Sequence, residues 1–414
     1  MNERKDSSYV RRVQMDQAPV FAAQQLHHID IELTERCNNR CVHCNINRPE
    51  QDRGAIEREL STKEWKSILD QAAGLGAISV RFTGGEPLLR SDFVDLYRYA
   101  RHLGMRVLLF TNARLIRPEI GALLEALPPG EKLEVSIYGM GAQTESAVTG
   151  VKASHAQAMA GVRELKKRKI PFVLKWTPLP FNAEDRVAFR KWVKKVMGKD
   201  VTPGLNALLE LRGRRDSEGA NRRIREMRLA PQAAAGMIRA WHPQWEVKMR
   251  AFMARMCVPK GVDDRLFSCG AGREASVDAY GKLQPCLLLR DPVLTIDLRE
   301  HTLEEARRDL FLSLRECRAV HPEYLKRCAR CFLRDLCEQC PARSWPEHGR
   351  LDRPVEYLCQ VAHEQAVQLG LIAVGEKAWN VKNGAARLAA RAAAQLPDAD
   401  ISGIMAGGEG KCHE

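Results

Sequence analysis

Apolar and polar residues alternate with period two from His28 to Leu33 (HIDIEL), which reads as a strand. Short apolar runs at Ala77–Phe82, Arg106–Phe110, Lys132–Ile137, Pro171–Trp176 and Asn206–Leu211 read as five more. Between them the apolar spacing widens to three and four residues, which predicts helices. Ser61 with Glu64 forms a capping box that opens the first, running to about Ala73. Others are predicted at Ser91–His102, near Pro118–Ala126, at Ser154–Lys167 and at Asp185–Val196. Strands alternating with such helices predict βα units, a parallel sheet and the α/β class. Chemistry in these folds gathers at the C-terminal ends of the strands. Cys37 follows the first strand, Gly84-Gly85-Glu86-Pro87 the second and Thr111-Asn112 the third, and Ser136 closes the fourth.

From about Cys257 to Cys359 the pattern changes to cysteines and short turns, with little regular apolar spacing for a core. Inorganic staples are the expected substitute. The chain then becomes helical and alanine-rich to about Leu396. These shifts predict a polar lead-in at 1–26, a core domain at 27–245, a cysteine-rich domain at 246–365, a helix at 366–396 and a disordered tail at 397–414.

The chain has 414 residues, enough for one large and one smaller domain. No apolar run approaches the ~18–20 residues of a membrane span, and Met1 to Gln25 has no signal-like apolar stretch. The expectation is a soluble, cytoplasmic protein without membrane association. Its 13 cysteines are then reduced, and their clustering points to metal binding or redox work. The net charge of +13 is concentrated in two places, Lys166–Lys169 and the seven arginines between Arg212 and Arg228. No aromatic residues interleave with them, so a base-stacking surface is not indicated and no nucleic acid is expected.

Cys37-Asn-Asn-Arg-Cys41-Val-His43-Cys44 places three thiols in eight residues. Three thiolates are one short of the usual iron–sulfur ligand set, leaving an open position for substrate or cofactor. Zinc with a distant fourth ligand such as His43 is the competing reading. The CxxxCxxC spacing after the first strand, with Gly84-Gly85-Glu86-Pro87 after the second, resembles the radical S-adenosylmethionine (SAM) superfamily. That resemblance implies a partial (β/α)6 barrel of TIM type. It implies a catalytic [4Fe–4S] cluster on Cys37, Cys41 and Cys44, with SAM chelating the open iron. It places Thr83, Gly84, Gly85, Glu86 and Pro87 at the methionine amino group, Thr111 and Asn112 near SAM, Ser136 at the ribose or carboxylate, and His43 near the adenine. Where many relatives carry an arginine for the carboxylate, this chain reads Val148-Thr149-Gly150, leaving Thr149 or a cation such as Lys175 for that task.

Cys269 and Cys286 flank Gly281, and Cys328, Cys331, Cys337, Cys340 and Cys359 follow. This array is similar to the SPASM extension behind some radical SAM barrels, with two residues instead of three between Cys337 and Cys340. A zinc ribbon on Cys328, Cys331, Cys337 and Cys340 is the alternative. The resemblance implies two auxiliary clusters, one on Cys269, Cys286 and Cys340, the other on Cys328, Cys331, Cys337 and Cys359. Cys257 is the expected eleventh ligand. The resemblance further implies a flavodoxin- or ferredoxin-type electron donor, hydrogen abstraction from a substrate, and greatest similarity to enzymes that modify ribosomally made peptides. Leu287 after Cys286 disfavours sulfatase maturation, because those relatives carry an aspartate there. The lead-in is too short for a PqqD-like recognition domain of ~80–90 residues, so a separate recognition protein or the barrel rim would bind the peptide, with 212–228 available to an acidic leader. Oxidative tailoring of a haem- or quinone-type precursor and a zinc-dependent nucleic-acid-binding protein are the other readings.

Overall fold

In the computed structural model, residues 25–198, 201–255, 262–267, 269 and 271–393 are described. Six strands form the parallel sheet: β1 (His28–Thr34), β4 (Ser79–Gly84), β5 (Arg106–Thr111), β6 (Leu133–Ser136), β7 (Phe172–Trp176) and β8 (Gly204–Leu205). They lie in that order, each parallel to the next, and β2 (Arg36–Cys37) and β3 (Arg48–Pro49) pair separately within the cysteine loop. This is the βα series expected of a partial (β/α)6 barrel.

Alternation along the strands decides which side chains reach which face. Ile29, Ile31 and Leu33 of β1, with Val80 and Phe82 of β4 and Val107 and Leu109 of β5, are all buried. Trp65, Ile68, Leu69 and Ala72 of helix Thr62–Gly74 and Leu96, Tyr97 and Ala100 of helix Phe93–His102 supply the buried helix faces. Many intervening strand positions are polar: His28, Asp30 and Glu32 on β1, Arg81 and Thr83 on β4, Glu134 on β6 and Lys175 on β7; Leu108 and Phe110 of β5 are apolar. Asp30 meets Arg81 at 2.7 Å, and Lys175 pairs with Glu134. An interior lined this way suits a polar ligand better than a dry core.

Two elements differ from expectation. The sixth strand is Gly204–Leu205, upstream of the predicted 206–211. Leu209 and Leu211 instead pack with Val148, Leu179, Ile224 and Met227. The predicted helix over 366–396 is broken into Glu356–Gln368 and Gly384–Ala393. The break follows from Gly370 at φ +68°, the left-handed conformation that ends helices.

The chain forms two compact units, and they do not follow the expected boundaries at 245 and 365. The first comprises Met1–Arg228, Arg265–Cys317 and Pro341–Leu351, and the second Leu229–Asp264, Arg318–Cys340 and Asp352–Glu414. In the first, β9 (Ala275–Val277) joins the edge of β1 in parallel, and β10 (Lys282–Gln284) and β11 (Ile296–Asp297) follow antiparallel. Gly281, at φ +83°, makes the β9–β10 turn, which explains a glycine at that offset before Cys286. Helix Leu303–Glu316, absent from the sequence reading, buries Leu303, Ala306, Leu310 and Leu314 behind a Thr302–Glu305 capping box. The second unit is built on Trp245, Met253, Phe332, Leu333, Leu336, Ala366, Leu369 and Leu388. Residues 1–24, Cys257 and the segment 397–414 lie outside the described residues. Among those described, no helix is long and apolar enough to cross a membrane.

Candidate functional site

The expected residues meet at the C-terminal end of the sheet, and Glu86 ties them together. Its carboxylate is fully buried and accepts from Thr111 Oγ1 and from the Asn112 amide, both at 2.8 Å. It also accepts from Leu88 N at 3.3 Å, which caps the turn begun by Pro87. Burial raises its pKa to about 7 despite those donors, because desolvation disfavours the charged form. Asn112 extends the chain of bonds to the cysteine loop, donating to Asn38 Oδ1 at 2.7 Å and lying 3.7 Å from Cys37 Sγ.

Gly84 and Gly85 are required by the packing of the protein itself. A Cβ on Gly84 would stand 2.1 Å from the Thr34 carbonyl oxygen, and one on Gly85 2.1 Å from that of Arg36. The pair lets the turn lie directly on the chain leaving β1, where Gly85 N donates to Thr34 O at 2.7 Å and Glu86 N to Arg36 O at 2.9 Å. Glycine here serves contact between two backbones of the protein.

Cys37, Cys41 and Cys44 lie on the loop after β1, and the charge of Cys44 is felt by both Cys37 and Cys41. Burial, then the nearby Glu86 charge, pushes the Cys37 thiol up to about 12, and burial raises Cys41 and Cys44 too. Donors nevertheless point at the sulfurs: Asn39 N to Cys37 at 3.4 Å and Asn47 N to Cys44 at 3.3 Å. Such donors suit thiolates held by a metal, which supplies the positive charge that bare thiols lack here. Among the described residues no three Cys, His, Asp or Glu side chains are placed to hold a single metal ion. The donors at the two sulfurs fit thiolates that bind an iron–sulfur cluster.

His43 packs edge-on against Tyr138, with ring centroids 4.9 Å apart, and enclosure lowers its pKa to about 4, leaving it neutral at pH 7. Its buried Nδ1 has no partner in the structure. Ser136 lies beside the Tyr138 side chain, and Tyr138 in turn lies near Cys41. The two residues named for the SAM carboxylate are both engaged elsewhere. Thr149 Oγ1 donates to Glu145 O at 2.9 Å and bonds Ser154, while Lys175 holds Glu134.

Several site residues escaped the sequence reading. Arg114 donates to the Asn38 carbonyl and to Asn39 Oδ1 (2.8 Å), bracing the cysteine loop. Glu145, buried and raised to about 7 by desolvation, accepts from Tyr138 N and Gly139 N at 2.9 and 2.6 Å. Arg212 bonds the Cys44 and Asn47 carbonyls from behind and pairs with Asp216 at 2.6 Å. Arg214 joins Glu35 and Asp278, and Arg225 and Arg228 join Glu347. Four of the seven arginines offered for an acidic leader are thus occupied internally. Beneath the loop, fully buried Arg290 pairs with Glu32 at 2.5 Å and Glu35 at 3.6 Å. These partners are distant in sequence, so no local spacing announces them.

Residues 31–193 match the model of the radical SAM superfamily. Those residues form a radical SAM domain. An AdoMet-dependent heme synthase of Methanosarcina barkeri is 28% identical over 343 residues, 77% of this chain and 92% of that protein. A PqqA peptide cyclase of Rhodopseudomonas palustris is 35% identical over 145 residues, 35% of this chain and 37% of that protein. The fold is similar to Streptococcus suis SuiB bound to S-adenosylmethionine, with a TM-score of 0.57, 16% identity and coverage of 77% of this chain and 74% of that one. SuiB bound to the precursor peptide SuiA matches equally well, at TM-score 0.57 and 16% identity over 77% of this chain and 72% of that one. A radical SAM domain implies a [4Fe–4S] cluster and SAM, and it does not favour the nucleic-acid-binding reading.

The remaining cysteines divide between the units. Cys269 and Cys286 belong to the first, and Cys340 to the second. Cys328, Cys331, Cys337 and Cys359 all belong to the second and line one pocket there. Burial raises each thiol, Cys328 to about 12 and Cys331 to about 11, and the charge of Cys359 adds to the rise at Cys328, Cys331 and Cys337.

Proposed function

We propose that this radical SAM enzyme modifies a ribosomally synthesised peptide, holding its [4Fe–4S] cluster on Cys37, Cys41 and Cys44. Bound there, cluster and SAM together supply a 5′-deoxyadenosyl radical that removes a hydrogen atom from a substrate carbon. The observation that carries the reading is the junction at Glu86, which joins the turn after β4 to the end of β5 and, through Asn112, to the cysteine loop. Ionised, Glu86 offers a carboxylate to the SAM amino group, with Thr83, Gly84, Gly85 and Pro87 shaping the turn. Thr111 and Asn112 fix its orientation, Ser136 stands near the ribose or carboxylate, and neutral His43 presents a ring edge near the adenine without adding charge beside a cationic sulfonium. The polar band of Asp30, Arg81, Glu134 and Lys175 faces the substrate.

The peptide reading is supported by the PqqA peptide cyclase likeness. The second cysteine field would hold two auxiliary clusters: Cys269, Cys286 and Cys340 one, Cys328, Cys331, Cys337 and Cys359 the other, with Cys257 as the eleventh ligand. A flavodoxin or ferredoxin would deliver the electron, and a separate protein would present the peptide. A haem-type precursor is the second reading, favoured by the length of the heme synthase alignment.

Anaerobic protein should be brown and carry about 11–12 irons, the sum of three such clusters. Cys41→Ala should abolish deoxyadenosine formation from SAM; continued formation refutes the assignment of that loop. Co-expression with peptides encoded nearby, read by mass spectrometry, then separates the readings. A mass change in the peptide supports the first, and conversion of a haem precursor with every peptide unchanged supports the second.

A further inference from the structure

The pocket of the second unit is lined by Cys328, Cys331, Cys337 and Cys359 together with two guanidinium groups, Arg327 and Arg334. Arg334 is matched by Asp263, which it meets at 3.0 Å and which is itself largely buried. Arg327 is differently placed. Its Nη2 donates to Cys359 Sγ at 3.4 Å and to Glu356 at 2.9 Å, and Glu356 is 59% exposed, so water screens that counter-charge. The guanidinium carbon lies over Trp379, 4.5 Å from the ring centre, with the side chain only 16% exposed. Attraction of the cation to the ring face holds the N–H beside sulfur. His363 completes the wall. Its Nε2 accepts from Ala378 N at 3.2 Å, so its proton is on Nδ1 and goes to the Cys359 carbonyl at 2.8 Å.

A [4Fe–4S] cluster on four thiolates carries two negative charges when oxidised and three after taking one electron. A fixed cation and an N–H···S bond both favour the more negative state, and charge and hydrogen bonding at sulfur are the levers that set such potentials. We propose that Arg327 is a positioning residue that raises the reduction potential of the cluster on Cys328, Cys331, Cys337 and Cys359. The inference rests on the four-cysteine assignment above. Arg327 acts through Cys359 and touches no substrate.

The test is a dithionite titration with redox mediators, followed by electron paramagnetic resonance, on full-length chain reconstituted with iron and sulfide. A Cys37→Ala/Cys41→Ala/Cys44→Ala background removes the SAM-site signal. The signal lost in Cys331→Ala/Cys337→Ala identifies the cluster to follow. If that double variant keeps its full iron and sulfide, the four-cysteine assignment fails, whatever Arg327 does. With the assignment standing, Arg327→Met should lower the reduced-to-oxidised ratio at fixed potential about tenfold, ~59 mV for one electron. Arg327→Lys keeps the charge without the planar fork, so it should fall between. It also serves as the deciding variant, through any drop below wild type, if Arg327→Met takes up no iron. An unchanged or raised potential in an iron-replete variant overturns the inference.

Discussion

Replacing Gly85 by alanine tests whether the turn after β4 must lie on the chain leaving β1. The new Cβ would sit 2.1 Å from the Arg36 carbonyl oxygen, 2.5 Å from its carbon and 2.7 Å from the Glu35 oxygen. All three are backbone atoms, so no side chain can swing aside. Restoring van der Waals contact moves the turn by roughly 1.3 Å, enough to break Gly85 N to Thr34 O and Glu86 N to Arg36 O. Each bond is worth ~0.5–1.5 kcal/mol net, and overpacking adds ~1–3 kcal/mol. The expected loss is about 2–6 kcal/mol, read by urea unfolding. Glu86 moves with the turn, so SAM affinity measured by calorimetry on anaerobic protein should fall as well. Gly74→Ala is the control: a Cβ there meets nothing within 4 Å, and the substitution should be neutral or stabilise by up to ~1 kcal/mol. Wild-type stability and SAM affinity in Gly85→Ala would refute the close-approach argument.

Glu86 should give the cluster-free protein a characteristic pH dependence. Its folded pKa of about 7 exceeds the ordinary 4.5, so the folded state holds the extra proton between those values. Stability should therefore fall as pH rises from about 4.5 to 7, on the order of 3 kcal/mol, and level off above. Glu145 adds a similar slope, so Glu86→Gln should remove about half; superimposable profiles for the two proteins would contradict the reading. Arg290→Met should cost ~3–5 kcal/mol by leaving Glu32 buried without its cation. Adding Glu32→Gln should recover a large part of that loss in denaturant melts, and no recovery would mean that the pair is not coupled.

The barrel was legible because its strands carry period-two or continuous apolar runs and its helices do not. Cys37, Glu86, Thr111 and Ser136 were legible because strand ends are where such folds expose chemistry. The sixth strand was misplaced because Ala207, Leu208, Leu209 and Leu211 are apolar for another reason, being buried without sheet pairing. Helix Leu303–Glu316 carried a readable capping box, but the cysteines on either side drew attention from its spacing. Arg114, Arg290 and Glu145 could not be read at all. Arg114 acts on a loop 75 residues away and Arg290 on a strand 258 residues away, and Glu145 holds amides whose folding back is invisible in one dimension.

The strand at 275–277 takes up the open side of β1, and Arg290 and Tyr280 supply the partners of Glu32 and Glu35. The stretch that carries Cys269 and Cys286 is thus woven into the first compact unit instead of following it. A chimaera cut after residue 245 would bare a long unpaired edge and strand the Glu32 carboxylate in a dry interior. Exchange of cysteine modules between enzymes of this build should succeed only when the graft carries β9 through β11 along with its new barrel partner.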